Sequence, residues 1–325
     1  MKLILALLVI TTAQVALSTP QQILARRAAL QKAAGTGTKA VPVLVKGLTD
    51  ENMVVRRTAA RLLARMVPMP NAALGKALVN EDALVRRFAL DRLTTPLGPK
   101  AVPYLGTALG DPAPELRLAA VERLAAIKPR TKKVIELLTR ARVDANTGVA
   151  RAAGQSLWDF HRDVTLLRNR PDWDYEVRVV KTLPLPKEGW RFRTDPRAGG
   201  HVEKWFATGF DDAKWQQIAI EQAWQKAGVD YVGVSWYRRI MDLPAKPELN
   251  AVEIRFLGVD ESAWVWINGV YVGAHDIGPM GYNKSFALDI TKEVKWGAAN
   301  QITIRAMSTK GNGGIWRPAR IEVLK

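Results

Sequence analysis

The sequence contains no cysteine in 325 residues and only three histidines. The absence of cysteine excludes disulfide bonds, thiolate metal sites, a cysteine nucleophile and a lipid-modified cysteine anchor. The histidines, His161, His201 and His275, lie far apart, and none belongs to an H-x-x-x-H pair or a nucleophile motif. The sequence therefore predicts no metal site and no cofactor, and a fold that rests on hydrophobic cores alone.

Long apolar runs are absent after the first residues of the chain. Lys2 precedes the apolar run 3–10, and Ala16-Leu17-Ser18 places small residues before a cleavage site. This pattern predicts a secretory signal peptide over residues 1–18. No later stretch approaches 18 apolar residues, so we expect no membrane span after signal cleavage. A disulfide-free exported chain suits the periplasm or the secreted fraction of a bacterium.

Charge and tryptophan are divided unequally between the two halves of the chain. Of the net charge of +17, residues 19–170 hold 26 Lys and Arg against 12 Asp and Glu. Residues 171–325 hold 21 against 19, but they contain ten of the eleven tryptophans. This asymmetry predicts two domains, 19–168 and 171–325, with different structures and partners.

The first half contains four segments that align without gaps and begin 30, 31 and 33 residues apart, at Val55, Val85, Leu116 and Val149. Five residues before each start stands an Asx residue: Asp50, Asn80, Asp111 and Asp144. Alanine recurs four residues after each start and leucine eight residues after it. The pattern predicts a helix, an Asx turn that accepts hydrogen bonds from amides near the next helix start, and a second helix with one buried stripe.

This spacing of leucine, Asx, Val-Arg, alanine and leucine resembles the HEAT repeat, over about residues 37–165. The resemblance implies an α-solenoid across 19–168, with 20–34 as an additional helix beside the first repeat. Each repeat of such an array leaves an apolar face that its neighbour covers, and the stack presents a concave binding surface.

Arginines recur near the start of the second helix, as pairs in the first two repeats (Arg56-Arg57 and Arg86-Arg87) and singly in the next two (Arg117 and Arg151). We expect the first members, Arg56, Arg86 and Arg117, to pack their stems and to bond the turn. The second members, Arg57 and Arg87, are candidates for a basic stripe that binds an acidic polymer or a protein, with a solvated face as the alternative. Nucleic acid is not favoured, because the export signal removes it and aromatic residues do not interleave with the basic ones.

The second half consists of short alternating runs between turn signals, which predicts an antiparallel β-sandwich. The stretch WVWINGVYVG, residues 264–273, is a hairpin whose Asn268-Gly269 pair suits a type I′ turn. Trp264 and Trp266 share one strand face, and we expect them to fill the sandwich core rather than to stack on a sugar.

Several motifs follow one another in this half: DDAKWQQI, SWYRRIMDLP, FLGVDESAWVWINGVYVGAH, FALDIT and GGIWRPARIEV. Their order over about 175–325 resembles the galactose-binding-like jelly roll that forms the sugar-binding domain of glycoside hydrolase family two. The resemblance implies a multidomain α plus β protein, an α-solenoid followed by a jelly roll that recognises a glycan.

The resemblance does not extend to the catalytic machinery. In that family the two catalytic carboxylates sit on a separate barrel, and we expect none after Lys325. The family's acid/base motif centres on Asn-Glu, which occurs here as Asn80-Glu81 in a repeat turn. The sequence thus favours an exported, non-catalytic carbohydrate-binding scaffold. An accessory or degenerate relative of a family-two glycosidase and a pure protein-interaction module remain open.

Candidates for ligand binding are the polar and aromatic residues of the predicted loops: His275, Tyr282, Asn283, Asn312 and Trp316. In the resembled enzymes the loop before the last motif lies near the sugar and often carries an acidic residue. The corresponding stretch, Lys310-Gly311-Asn312-Gly313, has none. For each candidate, stabilisation of a turn is the alternative role.

Overall fold

A computed structural model describes residues 18–95, 97–163, 165–168 and 176–325. The predicted signal peptide therefore lies, except for its last residue, outside the described part of the chain. Within that part, no helix is long and apolar enough to cross a membrane. The chain divides into two compact units, Met1–Arg130 and Thr131–Lys325. The boundary predicted near residue 170 falls inside the second unit, and the domain bounds 19–168 and 171–325 stay a prediction.

The described part of the first unit is built from helices joined by short turns. Their bounds are α1 Pro20–Ala34, α2 Val41–Gly47, α3 Met53–Arg65, α4 Asn71–Ala77, α5 Ala83–Leu93, α6 Val102–Ala108 and α7 Pro114–Ala126. Short 3-10 turns precede α2 and α6. The even-numbered and odd-numbered helices after α1 are the first and second helices of successive repeats.

The predicted Asx turns are confirmed. In each repeat the Asx side chain accepts a hydrogen bond from the amide two residues on, at 2.8–3.0 Å, in the pairs Asp50–Asn52, Asn80–Asp82, Asp111–Ala113 and Asp144–Asn146. Asn52 and Asp82 then cap α3 and α5 by accepting from the amides of Val54 and Leu84. These two helices thus begin where their first amides find side-chain acceptors, whereas α7 begins after Ala113, which has no side chain that can cap it.

The alanines and leucines of the second helices form the predicted buried stripe in three repeats and part of it in the fourth. Ala59, Ala89, Ala120 and Ala153 are fully buried, and Leu63, Leu93 and Leu124 are buried, whereas Leu157 is half-buried at the end of α9. The leucines of the first helices, Leu44, Leu74, Leu105 and Leu138, are fully buried as well. Small side chains let the helix backbones approach closely: a Cβ on Gly47 would lie 2.9 Å from the Cβ of Ala59. The local sequence repeat is therefore also a packing repeat.

The second unit begins with the last helix pair, α8 Lys132–Ala141 and α9 Thr147–Ser156. Its strands are β1 Val179–Pro184, β2 Trp190–Thr194, β3 Gln216–Ile218, β4 Gly233–Asp242, β5 Ala251–Phe256, β6 Ser262–Ile267, β7 Val270–Asp276, β8 Phe286–Asp289, β9 Ala299–Ser308 and β10 Ala319–Leu324. They form two antiparallel sheets, ordered β1-β10-β5-β8 and β3-β2-β4-β9-β6-β7. The predicted order of helical repeats followed by an antiparallel β-sandwich is confirmed.

The sandwich core lies between the two sheets and draws on both of them. Ile254 of β5, Val265 of β6 and Ile304 of β9 are fully buried in it. The hairpin of β6 and β7 turns through Asn268 and Gly269, whose φ angles of 51° and 81° are those of the predicted type I′ turn.

The expectation that Trp264 and Trp266 fill the sandwich core is wrong, although both are buried. They point to the opposite face of the six-stranded sheet, where they form a second cluster with Trp205, Trp215 and Trp236. Alternation along a strand indicates two faces but not which face is the inner one. In this sheet both faces are covered, so large apolar side chains occupy both.

The segment that follows α9, residues 157–163 and 165–168, packs against this second face and then against the other sheet. Trp158 and Phe160 join the aromatic cluster. Arg162 forms an ion pair with Glu293 at 2.7 Å, and Arg168 pairs with the buried Glu253 and Glu322 of the four-stranded sheet. We call residues 157–163 and 165–168 the strap, because they contact both sheets.

Candidate functional site

Loops at one end of the sandwich enclose a cavity of about 360 Å³, which we call the Trp316 cavity. Four loops form its walls: those between β3 and β4, β5 and β6, β7 and β8, and β9 and β10. The described lining residues are Glu221, Gln222, Ala223, Lys226, Asp260, Tyr282, Asn312, Gly313 and Trp316. The volume suits a small organic ligand rather than a macromolecule.

The aromatic wall is held by a hydrogen bond between two of these loops. The indole Nε1 of Trp316 donates to the carbonyl oxygen of Tyr282 at 2.8 Å. The guanidinium of Arg317 stacks over the Trp316 ring at 4.1 Å from its centroid. A Cβ on Gly258 would lie 3.0 Å from the Arg317 side chain, so the β5–β6 loop also packs closely here. The indole is therefore oriented before any ligand arrives.

The loop that carries Asn312 is held from the other side by Trp224 and Gln225. The amide of Trp224 donates to the carbonyl of Gly313 at 2.9 Å, and the amide of Gly313 donates to Oε1 of Gln225 at 3.0 Å. A Cβ on Gly313 would lie 2.0 Å from the Trp224 ring, which only glycine avoids. The position of Asn312 is thus fixed by its neighbours in the chain.

Asp260 supplies a buried carboxyl group to the cavity. Asp260 is 9% exposed, and its Oδ2 atom is buried and has no hydrogen-bond partner among the described residues. Burial raises its pKa to about 6, assisted by the neighbouring charge of Glu261, while a hydrogen bond with Ser308 acts in the opposite direction. An unpaired buried oxygen that faces a cavity is a ready partner for a ligand hydroxyl.

Glu261, by contrast, has a structural role. It adopts a left-handed backbone conformation, with φ of 51°, and its carboxylate accepts from the amide and hydroxyl of Thr309 at 2.7 and 2.8 Å. This anchors the start of the β9–β10 loop to the β5–β6 loop. The strained residue beside Asp260 therefore tethers one wall of the cavity to another.

The structure brings three of the five predicted ligand residues together. Tyr282, Asn312 and Trp316 all line the Trp316 cavity, although they come from two different loops. His275 does not line it. Its ring stacks on Phe286 with centroids 4.6 Å apart, and burial lowers its pKa. Asn283 is exposed and also lies outside the lining.

Sequence reasoning missed Glu221, Gln222, Lys226 and Asp260, which complete the polar lining. Aspartate is a common turn residue, so its position between two strands did not single out Asp260. The other three residues carried no sequence signal either. Glu221 adopts φ of 63°, a feature that only the structure shows. No group of three or more histidine or acidic side chains that could hold a metal occurs in the described part of the chain.

The arginines of the helical repeats fall into two groups. Arg56, Arg86 and Arg117 each donate at 2.8 Å to a carbonyl of their own turn, as predicted. Arg86 is buried and also forms a two-pronged ion pair with Asp111 of the next repeat, at 2.6 and 2.8 Å. These three arginines are therefore part of the repeat architecture.

The second arginines are more exposed, but each already has a carboxylate partner. The side chain of Arg57 is 37% exposed and pairs with Asp82 of the next repeat at 2.8 Å. The side chain of Arg87 is 41% exposed and pairs with Asp91 at 3.0 Å. Asp91 in turn accepts from Arg123 at 2.5 Å. The role of Arg57 and Arg87 in binding an acidic partner stays a prediction.

The chain thus combines helical repeats with an antiparallel sandwich that has a loop-lined cavity at one end. Comparison with known families agrees for the helical part: HEAT repeat profiles match residues 40–69 and 71–158. The second match includes α8 and α9, which belong to the second compact unit.

Curated relatives that match part of the chain include a β-glucuronidase and a β-galactosidase. A β-glucuronidase of Paenibacillus borealis is 29% identical over 122 residues, which cover 35% of this chain and 19% of the relative. A β-galactosidase of Bacteroides ovatus is 28% identical over 122 residues, covering 33% of this chain and 14% of the relative. The chain spans less than a fifth of the length of these curated relatives.

Solved structures of the same class share this likeness at lower identity. The β-glucuronidase of Ruminococcus gnavus is 16% identical, with a TM-score of 0.40 over 50% of this chain and 30% of that one. A glycosyl hydrolase family 2 member from Bacteroides cellulosilyticus is 24% identical, with a TM-score of 0.37 over 44% and 21%.

Proposed function

We propose that this chain is an exported, non-catalytic carbohydrate-binding protein whose sandwich holds a sugar in the Trp316 cavity. The observation that carries the proposal is the convergence of Tyr282, Asn312 and Trp316 with the unpaired Oδ2 atom of Asp260 around one cavity of about 360 Å³. The similarity to carbohydrate-active relatives supports the ligand class.

The chemistry of the lining matches the two sides of a sugar ring. A pyranose presents an apolar face of C–H groups and an edge of hydroxyl groups. Trp316 and Tyr282 offer aromatic surface to the face. Asp260, Asn312 and Gln222 offer acceptors and donors to the hydroxyl edge. Because the indole is already oriented by Tyr282 and Arg317, little ordering entropy is lost when the ring binds.

The experiment is a glycan array on the full chain, followed by calorimetric titration of the sugars that bind. Trp316→Ala and Asn312→Ala should each weaken binding about five- to thirtyfold, since each removes a contact worth about 1–2 kcal/mol. Asn283→Ala is the matched control, because Asn283 is an exposed neighbour outside the cavity. Equal losses for Asn312→Ala and Asn283→Ala, or no sugar bound at all, would contradict the proposal.

The helical repeats would then serve as a scaffold that docks an acidic polymer or a protein. The excess of basic residues in 19–170 supports an acidic partner. Binding of heparin, used as a probe polyanion, should occur at low salt and weaken as salt rises. The double variant Arg57→Ala, Arg87→Ala should bind less. The control double variant Lys187→Ala, Lys246→Ala removes two charges from the sandwich and should bind heparin as strongly as the unchanged protein does. Equal effects would indicate binding by net charge alone.

A second candidate, a degenerate or accessory glycosidase, has one observation in its favour: two carboxyl groups, Glu221 and Asp260, line the same cavity. Glycoside hydrolysis requires such a pair on either side of the bond. In the resembled enzymes, however, the pair sits on a barrel that the described residues do not contain. We therefore expect no release of nitrophenol from aryl β-galactosides or β-glucuronides. Turnover that persists on purification and is lost in Asp260→Asn would favour the second candidate.

A further inference from the structure

A second cavity of the sandwich, of about 260 Å³, contains three arginines and shares no lining residue with the Trp316 cavity. Arg191 of β2 lies directly opposite Arg238 of β4, and Arg239 follows Arg238 along the strand. All three line this cavity together with Thr208 and Asp212 of the loop before β3. We call it the arginine cavity.

All three side-chain nitrogens of Arg238 donate hydrogen bonds to other groups of the protein. It is 3% exposed, and its Nε donates to Asp212 at 2.6 Å. Its terminal nitrogens donate to Gln301 Oε1 and to carbonyls of the loop, including that of Ala207 at 3.1 Å. Its charge is balanced by Asp212, which is the one carboxylate among the described lining residues. Arg238 therefore holds the loop against the sheet.

Arg191 and Arg239 have no such compensation. Arg191 makes a single long hydrogen bond, to the carbonyl of Trp215 at 3.4 Å. The Nε of Arg239 is buried without a hydrogen-bond partner, and no described carboxylate pairs with either guanidinium. Like charges placed directly across two strands repel each other, as Arg191 and Arg238 do. The cavity thus has two positive charges in excess over the carboxylate it contains.

Gly189, in the turn before β2, lies directly against the guanidinium of Arg239. Its φ is 77°, and a Cβ there would lie 3.3 Å from the guanidinium carbon of Arg239. Any larger residue would therefore be strained and would crowd the guanidinium. Arg239 is among the residues that line the cavity, and its guanidinium has the fork geometry that suits a two-pronged contact with an oxyanion.

We propose that the arginine cavity binds an oxyanion, the carboxylate or sulfate group of an acidic sugar, through Arg191 and Arg239. Its volume is below the range of about 300–1,000 Å³ of pockets for drug-sized ligands, so it takes one small group. The oxyanion follows from the charges in the cavity alone. That the oxyanion belongs to a sugar rests on the proposed function.

The test is titration of the full chain with glucuronate, inorganic sulfate and glucose at low ionic strength, followed by calorimetry. Glucuronate and sulfate should bind, and glucose should not bind at this site. If glucuronate binds more tightly than sulfate, the sugar ring contributes to binding. If the two anions bind with equal affinity, the site recognises the oxyanion alone. Failure of both anions to bind would overturn the proposal. It would not affect the proposal that a sugar binds in the Trp316 cavity.

Variants separate this site from binding by overall charge. Arg239→Gln and Arg191→Gln should each weaken anion binding at least about tenfold, since each removes charge-assisted hydrogen bonds. Lys246→Gln removes one exposed charge elsewhere on the sandwich and should have no effect. Trp316→Ala should also leave anion binding unchanged. If circular dichroism shows that Arg239→Gln does not fold, the affinity of Arg191→Gln for the anions tests the proposal. Equal losses of affinity in Arg191→Gln and Lys246→Gln would refute a specific site.

Discussion

Trp158, two residues beyond the end of α9, meets Trp264 of β6 edge to face, with ring centroids 5.7 Å apart. The same indole ring lies 5.1 Å from the guanidinium carbon of Arg305, a buried arginine of β9. The strap is therefore an integral layer of the sandwich and not a free linker. Its removal would expose aromatic surface that the fold covers.

Two fragments test this consequence. Residues 131–325 keep α8, α9 and the strap, whereas residues 171–325 lose them and uncover Trp264, Trp266 and Tyr271. We expect the longer fragment to unfold at the higher temperature, and the shorter one to bind a hydrophobic dye and to aggregate. Differential scanning fluorimetry and light scattering measure both effects. Equal melting temperatures and equal solubility would show that 171–325 is a complete folding unit.

Arg86 and Arg57 form a matched pair for testing the repeat architecture. Arg86 and Asp111 are buried and joined by two hydrogen bonds, so Arg86→Ala leaves a buried carboxylate without its partner. We expect it to destabilise the protein by about 3 kcal/mol. The Arg57–Asp82 pair includes an arginine that is 37% exposed, and Arg57→Ala should cost less than about 1 kcal/mol. Urea unfolding measures both, and a reversed order would contradict the assigned roles.

The helical repeats were predictable from the sequence because their determinants are local and periodic. Asp50 and its equivalents act on amides two residues away, and Ala59 and Leu63 lie on one helix stripe. The turn at Asn268 and Gly269 was predictable for the same reason, since its φ angles depend on two adjacent residues.

The ligand cavities were only partly predictable, because they are assembled from residues distant in the chain. Asp260 and Asn312 lie 52 positions apart, and nothing in either local sequence indicates that they share a wall. The arginine cavity depends on the register that places Arg191 opposite Arg238. The same limit applied to Trp264. Alternation along β6 showed that Trp264 and Trp266 share one face of the sheet, but not which face of the sheet covers the sandwich core.

The stability of the protein should fall in mild acid because of His201. Its pKa is lowered to about 4, chiefly by burial and further by the charges of Arg305 and Arg142. The unfolded chain, with a histidine pKa near 6.5, therefore binds the proton more readily than the folded protein does. Stability is fully present above about pH 6.5 and declines by about 3 kcal/mol as the pH falls to about 4.

The variant His201→Gln isolates this effect, because glutamine does not titrate. Paired carboxylates such as Glu322, whose pKa is lowered by Arg168 and Arg320 in spite of its burial, also lose stability in acid, but they do so in both proteins. The difference between the two pH profiles of unfolding free energy should therefore follow His201 alone. Parallel profiles between pH 7 and pH 4 would show that this histidine has the same pKa in the folded protein as in the unfolded chain.

Asp260 should show the opposite pH dependence. Burial raises its pKa to about 6, above the value of 3.8 for a free aspartate, so its ionised form is disfavoured in the folded protein. The cost is absent below about pH 3.8 and reaches about 3 kcal/mol as the pH rises through 6. Asp260→Asn removes the charge. It should therefore stabilise the fold at pH 8 and have little effect near pH 3.5, as measured by urea unfolding at both pH values.

The same substitution should reduce sugar binding at pH 8, because an ionised carboxylate accepts a ligand hydroxyl more strongly than an amide does. A gain in stability combined with a loss of affinity is the result expected of a residue retained for its ligand rather than for the fold. Calorimetric titration with the sugar identified on the array measures the second half of this prediction. If Asp260→Asn stabilises the fold and leaves affinity unchanged, the carboxyl group faces the Trp316 cavity without contacting what it binds.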